Sequence, residues 1–169
     1  MGKYLITGRQ GSGKTTAIKE LSARGFTAYD TDEIPDVTKL QSIETGEAIA
    51  WPKVSVDWTK YAWNWQVDAL EQLLDSDENV FIGAITSNQE KYYPLFDKIF
   101  ALILSPDNLR IRLNQHEHES HHLPGQIDRW VAQHEVKQQR FINAGAVGID
   151  ANVAVASVVD QIILHVNSN

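Results

Sequence analysis

Cysteine is missing from all 169 residues, which removes disulfides, thiolate nucleophiles and cysteine-ligated zinc and fits a reducing compartment. No apolar run approaches the roughly 18 residues that a membrane span needs. The opening residues, Met1-Gly2-Lys3-Tyr4-Leu5-Ile6-Thr7-Gly8, reach glycine too early for the apolar run of a signal peptide. A cytoplasmic protein without a membrane partner is expected. Positive charge is also scarce: 15 Lys+Arg stand against 22 Asp+Glu, a formal net charge of −7. A field of that sign repels phosphate backbones, so nucleic acid is not an expected partner, and an anionic ligand has to be held locally. Repeats, low-complexity tracts and linker-like stretches are absent too. A chain of this length buries roughly two-thirds of its unfolded surface, so one domain over 1–169 is expected, as a monomer or homodimer.

What is present is an alternation of short apolar runs with longer helical patterns, the pattern of βαβ units and a parallel sheet. Five runs read as buried strands: Lys3 to Thr7, Phe26 to Asp30, Val80 to Ile85, Ile99 to Leu104 and Ala146 to Ile149. Ser87-Asn88-Gln89-Glu90 has the spacing of a capping box, and Ser105-Pro106 that of an N-cap followed by proline in the first turn. A closing helix over about 153–165 carries Val155, Val158, Val159, Ile162 and Ile163 on one stripe. The rhythm breaks over about 31–75, an excursion in which Pro35, Gly46 and Pro52 interrupt any long helix. A helix from about Asp57 to Leu74 is predicted within it, apolar on two sides through Trp58, Ala62, Trp65, Ala69 and Leu73 and, opposite, Trp63, Val67, Leu70 and Leu74. Such a helix is either sandwiched as core or lines a ligand cleft with indole faces.

Gly8-Arg9-Gln10-Gly11-Ser12-Gly13-Lys14-Thr15 fits the phosphate-loop pattern G-x-x-x-x-G-K-[ST] at every fixed position. A chance match in a chain this long has a probability of about half a percent at average glycine content. Here the pattern also follows an apolar strand and opens a helix. Gly11, Ser12 and Gly13 let successive backbone N–H groups converge on an anion, aided by the helix N-terminus. Lys14 then reaches the β- and γ-phosphates, the Thr15 hydroxyl is offered to Mg²⁺, and Thr16 falls at the α-phosphate. The net-negative chain is thus expected to bind ATP with Mg²⁺.

Asp30 and Asp32 close the second strand at i and i+2, on one side of an extended segment beside the loop. One carboxylate suits a hydrated metal and the other a substrate hydroxyl, while capping of the turn before Ile34 is the structural alternative. With the loop, this Asp-Thr-Asp resembles shikimate kinase and, more loosely, its gluconate-kinase and adenylate-kinase relatives among the small P-loop kinases. The resemblance implies a three-layer α/β fold with a five-stranded parallel sheet and a short lid. It makes Asp30, with Thr15, the magnesium side and Asp32 the base. It further implies that Arg112, or alternatively Arg110, lies against adenine, that a lid occupies about 115–126, and that Arg129 neutralises the transferring phosphate. Gly145 to Ala151 would be the strand and turn beside adenine. Gln115-His116-Glu117-His118-Glu119-Ser120-His121-His122 reads as a solvated lid, since its histidine spacing without cysteine is no zinc pattern.

Two departures bear on the acceptor. No arginine lies between Arg24 and Arg110, where such kinases grip carboxylates or phosphates with bidentate forks. The glycine-rich turn that shikimate kinases carry after strand three is replaced by Gly83-Ala84-Ile85-Thr86-Ser87-Asn88, and that strand ends without an aspartate. The expectation is an ATP-dependent kinase of a hydroxyl on a small, uncharged molecule, nucleoside or polyol-like, with Lys14, Asp32 and Arg129 as the catalytic set. Trp51, Trp58, Tyr61 and Trp65 are candidate walls and Asn88 a polar handle. The alternatives are a nucleotide-binding regulatory ATPase, or a shikimate or nucleoside monophosphate kinase with an atypical acceptor site. A GTP switch is disfavoured by the lack of an Asn/Thr-Lys-x-Asp segment.

Overall fold

The computed structural model describes residues 1–52, 56–76, 78–115 and 125–168. Strands β1 (Lys3–Thr7), β2 (Thr27–Asp30), β5 (Val80–Gly83), β6 (Lys98–Ile103) and β7 (Val147–Asp150) form one sheet in the order β2-β5-β1-β6-β7. Every neighbouring pair is parallel, with Leu5 opposite Ile82 on one side and Ile99 on the other. These are the five apolar runs of the sequence, and β1 lies central because it is apolar on both faces. Tyr4 and Ile6 point to one layer, with Phe81, Phe100, Ile18, Leu21, Leu109, Val159 and Ile162. Leu5 points to the other, with Val80, Ile82, Leu70, Leu74, Trp65 and Phe96. Strand alternation therefore feeds two cores, and each fully buried Leu, Ile or Phe contributes about 1.5–3 kcal/mol.

Helices α1 (Lys14–Ala23), α3 (Pro106–Gln115) and α6 (Val155–Asn167) pack on the first layer, while α2 (Val67–Leu74) covers the second. Helices α4 (Gln126–Ala132) and α5 (His134–Asn143) follow α3, and the Phe141 side chain of α5 packs with Ala101 of β6 and Ala146. The expected proline start of α3 holds: the Asn108 N–H donates to Ser105 Oγ at 3.2 Å.

The excursion differs from the expected long helix. Only Val67–Leu74 is helical; Tyr61–Trp65 is strand β4, antiparallel to β3 (Thr38–Ser42), with Thr38 opposite Trp65 and Leu40 opposite Trp63. The reason is local. Tyr61, Trp63 and Trp65 alternate with Ala62 and Asn64, and aromatics on a pleated surface favour a strand. The strand is then tied from outside. Asn88 Oδ1 accepts the Trp65 N–H at 3.0 Å while Asn88 Nδ2 donates to the Trp65 carbonyl at 3.1 Å. Ser87 Oγ accepts the Trp63 N–H at 3.2 Å. Hence the Ser87 capping box does not form: Ser87 and Asn88 spend their side chains on β4, and Gln89–Leu95 is a 3-10 helix containing Pro94.

Candidate active site

The site is built where β1 runs into α1. Gly11 and Gly13 sit at φ 81° and 100°, a region that L side chains rarely adopt, and they turn the chain so that α1 begins at Lys14. The first-turn N–H groups of α1 have no partners within the helix, and that turn carries no acidic residue to occupy them. Ser12 is buried, and its Oγ has no hydrogen-bond partner among the described residues. Lys14 curls back over the loop, its Nζ donating to the carbonyls of Gly8 at 3.0 Å and Arg9 at 3.3 Å. Burial pushes the Lys14 ammonium down to about 8; Asp32 and Asp30 pull it up, and Arg9 pushes it down. A phosphate arriving there would restore the favourable charge.

The two strand-end carboxylates stand beside this lysine. Asp30, at the end of β2, accepts the Thr15 hydroxyl on Oδ2 at 2.6 Å and the Asp32 N–H on Oδ1 at 3.1 Å. Asp30 thus caps the turn with one oxygen, the structural alternative weighed from the sequence, and meets the Thr15 hydroxyl with the other. Asp32 accepts the indole N–H of Trp63 at 2.8 Å. Burial, with help from the Asp30 charge, raises the Asp32 pKa, against the lowering pull of the Trp63 hydrogen bond and of Lys14. Its side chain keeps an open face to solvent.

A magnesium ion fits these residues by donor chemistry. A hydroxyl and a carboxylate in contact form a hard, all-oxygen pair, and Mg²⁺ prefers one or two carboxylates plus substrate phosphates to a cage built by protein alone. No group of three or more His, Asp or Glu side chains suited to a metal occurs among the described residues.

On the far side of the loop, Arg112 of α3 donates from Nη1 to the Ser12 carbonyl at 2.9 Å and from Nη2 to the Ala151 carbonyl at 2.6 Å. It thus joins the phosphate loop to the turn after β7. Arg110, the alternative, pairs instead with Asp128 of α4 at 2.5 Å. Thr16 lies exposed in the first turn of α1, and Arg129 exposed on α4, in no ion pair among the described residues. The histidines of the expected lid, 116–122, fall outside the described residues.

The aromatic candidates separate. Trp65 is core, its indole N–H donating to Thr31 Oγ1 at 3.0 Å and its ring beside Phe96 and Tyr92, so it is no wall. Asn88 is a structural tie to β4 rather than a polar handle. Trp51 and Trp58 are exposed and meet edge to face at 6.2 Å, and Trp51 meets Trp63 at 5.5 Å. Trp51 and Trp63 line a shallow depression of about 330 Å³ with Leu40, Ile49, Thr38 and Lys39. Helical spacing alone puts Trp63 on a helix stripe, whereas the Tyr-Ala-Trp-Asn-Trp alternation is the signal for its place on β4.

A five-stranded parallel sheet covered on both faces, with β1 feeding a glycine-rich loop that caps α1, defines a three-layer α/β P-loop nucleoside-triphosphatase fold. The family model for the AAA domain matches residues 5–138, and the chain belongs to that family. Among solved structures the fold is similar to the deoxyadenosine kinase of M. mycoides with bound dATP, at TM-score 0.61 and 15% identity, covering 98% of this chain and 100% of that one. It is also similar to the shikimate kinase of Acinetobacter baumannii in complex with shikimate, at TM-score 0.63 and 14% identity, covering 98% of this chain and 92% of that one. Compared by sequence with curated proteins, the chain has no match.

Proposed function

We propose that this protein transfers the γ-phosphoryl group of ATP to a hydroxyl of a small, largely uncharged molecule, nucleoside or polyol-like. The observation that carries the proposal is the Trp63 Nε1 to Asp32 hydrogen bond of 2.8 Å. It joins an aromatic side chain to a carboxylate whose pKa burial raises and whose field reaches Lys14, the combination suited to a positioned base. The acceptor is read as uncharged because Thr31 to Trp65 holds no arginine. Lys39, which lines the depression, is already paired with Asp36 at 3.0 Å. Fold likeness to a deoxyadenosine kinase and a shikimate kinase agrees with this class of reaction.

In this scheme Gly11, Ser12 and Gly13 present backbone N–H groups to the phosphates, with Thr16 at the α-phosphate. Lys14 bridges the outer phosphates and Asp32 takes the proton of the attacking hydroxyl. Arg112 sets the loop against the adenine-side turn, and Arg129 adds charge to the transferring group. Thr15 and Asp30 would hold Mg²⁺, which when bound offsets phosphate charge and aligns the triphosphate.

The test is ADP formation from Mg·ATP across nucleosides, polyols, sugar acids, shikimate and nucleoside monophosphates. Acceptor-dependent ADP with a neutral compound is expected. A second reading, a regulatory ATPase, is favoured by membership of the AAA domain family; ADP formation independent of every acceptor would select it.

A further inference from the structure

Among the described residues five cations sit in ion pairs: Lys19 with Glu33, Arg24 with Glu20 and Asp160, Lys39 with Asp36, Lys60 with Asp57 and Arg110 with Asp128. Arg9 and Lys137 belong to no ion pair among the described residues, although the chain has more carboxylates than cations. Both are partly buried. The Arg9 Nε is enclosed with no hydrogen-bond partner, and a buried charged donor left unmet is costly.

The fold brings the two residues together. In the parallel pair β1·β6, Thr7 stands opposite Ala101, so Arg9 and Leu104 both leave the sheet at its carboxyl edge. Helix α5 is clamped to that point: the Leu104 N–H donates to Gln138 Oε1 at 2.9 Å, and His134 Nε2 faces the Leu104 carbonyl at 2.7 Å. A carbonyl only accepts, so Nε2 carries the proton. Lys137, between His134 and Gln138 in the same turn, is thereby fixed at the β6 flank of the loop. The mutual repulsion is felt: burial, then Arg9, then Arg140 all lower the Lys137 pKa, and Arg9 in turn lowers that of Lys14.

We propose that Arg9 and Lys137 form an anion clamp on the β6–α5 side of the phosphate loop, which closes on the terminal phosphate of the bound nucleoside triphosphate. The clamp rests on the assignment of the loop as an ATP site. Lys14 and the loop amides serve any nucleotide with a β-phosphate; Arg9 and Lys137 supply charge that only a further phosphate needs. The side chains act by charge-assisted hydrogen bonds, for which a guanidinium and an ammonium are suited.

The experiment is calorimetric titration of the full chain with Mg·ATP and with Mg·ADP, for the parent, Lys137→Met, Lys137→Arg and Arg9→Gln. Lys137→Met and Arg9→Gln are expected to weaken ATP binding by about tenfold while ADP binding stays within about twofold. Lys137→Arg, which keeps the charge, should hold the parental ATP-to-ADP ratio. An unchanged ratio in Lys137→Met, or equal losses for both nucleotides, overturns the clamp. Lys137-dependent binding of a nucleoside monophosphate to the ADP complex would move the anion to the acceptor and overturn it as well. A parent that binds neither nucleotide would instead refute the ATP site itself, and the clamp with it.

Discussion

Replacing Trp63 by phenylalanine keeps an aromatic ring on β4 but deletes the indole N–H that donates to Asp32 Oδ1 at 2.8 Å. That bond stabilises the ionised carboxylate, so its loss moves the Asp32 pKa further in the direction burial already pushes it. A hydrogen bond to a charged group is worth about 1.5–3 kcal/mol when enclosed. Asp32 keeps an open face to water, which solvates part of the loss, so about 1 kcal/mol, somewhat under one pH unit, is the working figure. A base must be ionised to accept the acceptor's proton, so activity falls as pH drops through its pKa. The acidic limb of kcat/KM for Trp63→Phe should therefore lie higher than the parent's by about 0.5–1 pH unit. The rates should converge near neutrality. The assay is acceptor-dependent ADP release between pH 4 and 9, with Asp32→Asn as control, expected to lower kcat by about 10²–10⁴. An acidic limb that stays in place or moves down in Trp63→Phe, or an Asp32→Asn variant with parental kcat, would refute the role given to Asp32.

Lys14, held at about 8 in the free protein, gains proton affinity when a polyanion binds, so above that value binding must take up a proton. Mg·ATP affinity should be level below about pH 8 and fall by up to tenfold per unit above it; flat affinity through pH 9.5 would count against it. Gly13→Ala forces a side chain into φ 100° and sets its Cβ 3.2 Å from Arg112 Nη1. A stability loss of about 1–2 kcal/mol by urea unfolding is expected, together with a larger loss of nucleotide binding. Gln89 is buried and serves Thr7 Oγ1, the Thr86 N–H and the Tyr93 hydroxyl at once. Gln89→Leu strands all three, and urea unfolding should show a loss of about 1–3 kcal/mol.

The sheet and the phosphate loop were legible in the sequence because their signals are local. Lys3 to Thr7 is a buried run, and the glycines of the loop sit where positive φ is required. Local signals misled where a distant partner claimed the side chains. Ser87 has the spacing to cap the helix after it, yet its hydroxyl accepts from Trp63 on β4. Trp58 to Leu73 has helical spacing, but pairing of Tyr61–Trp65 with Thr38–Ser42 outweighs propensity, since a second strand supplies hydrogen bonds and a packed face together. Which of Arg110 and Arg112 meets the phosphate loop is not a local property, because it depends on whether a carbonyl of the loop or Asp128 is within reach. Arg9 occupied a variable position of the motif, and Lys137 an unremarkable helix. Their proximity depends on Leu104, which is remote in sequence from both.

Charge placement along the sheet gives the proposed reaction a direction. In the order β2-β5-β1-β6-β7, the carboxylates Asp30 and Asp32 stand at the β2 end, the phosphate loop leaves β1, and Arg9 with Lys137 gathers on the β6 side. The strand between acids and loop, β5, runs into Gly83-Ala84 with no carboxylate at its end. Beyond it Thr7, Thr86 and Gln89 form a neutral network. A hydrolytic ATPase of the P-loop type commonly carries an aspartate on such a strand, where it supports the metal near the attacking water. Here the negative groups are displaced by one strand, to the flank where Trp63 and Trp51 meet edge to face. In the proposed reaction an attacking hydroxyl beside Asp32 and a triphosphate held from the cationic flank would approach each other across Lys14, whose charge couples to Asp30, Asp32 and Arg9 together. Transfer to a bound hydroxyl uses every member of that row, whereas hydrolysis would leave the Asp32–Trp63 pair without a task.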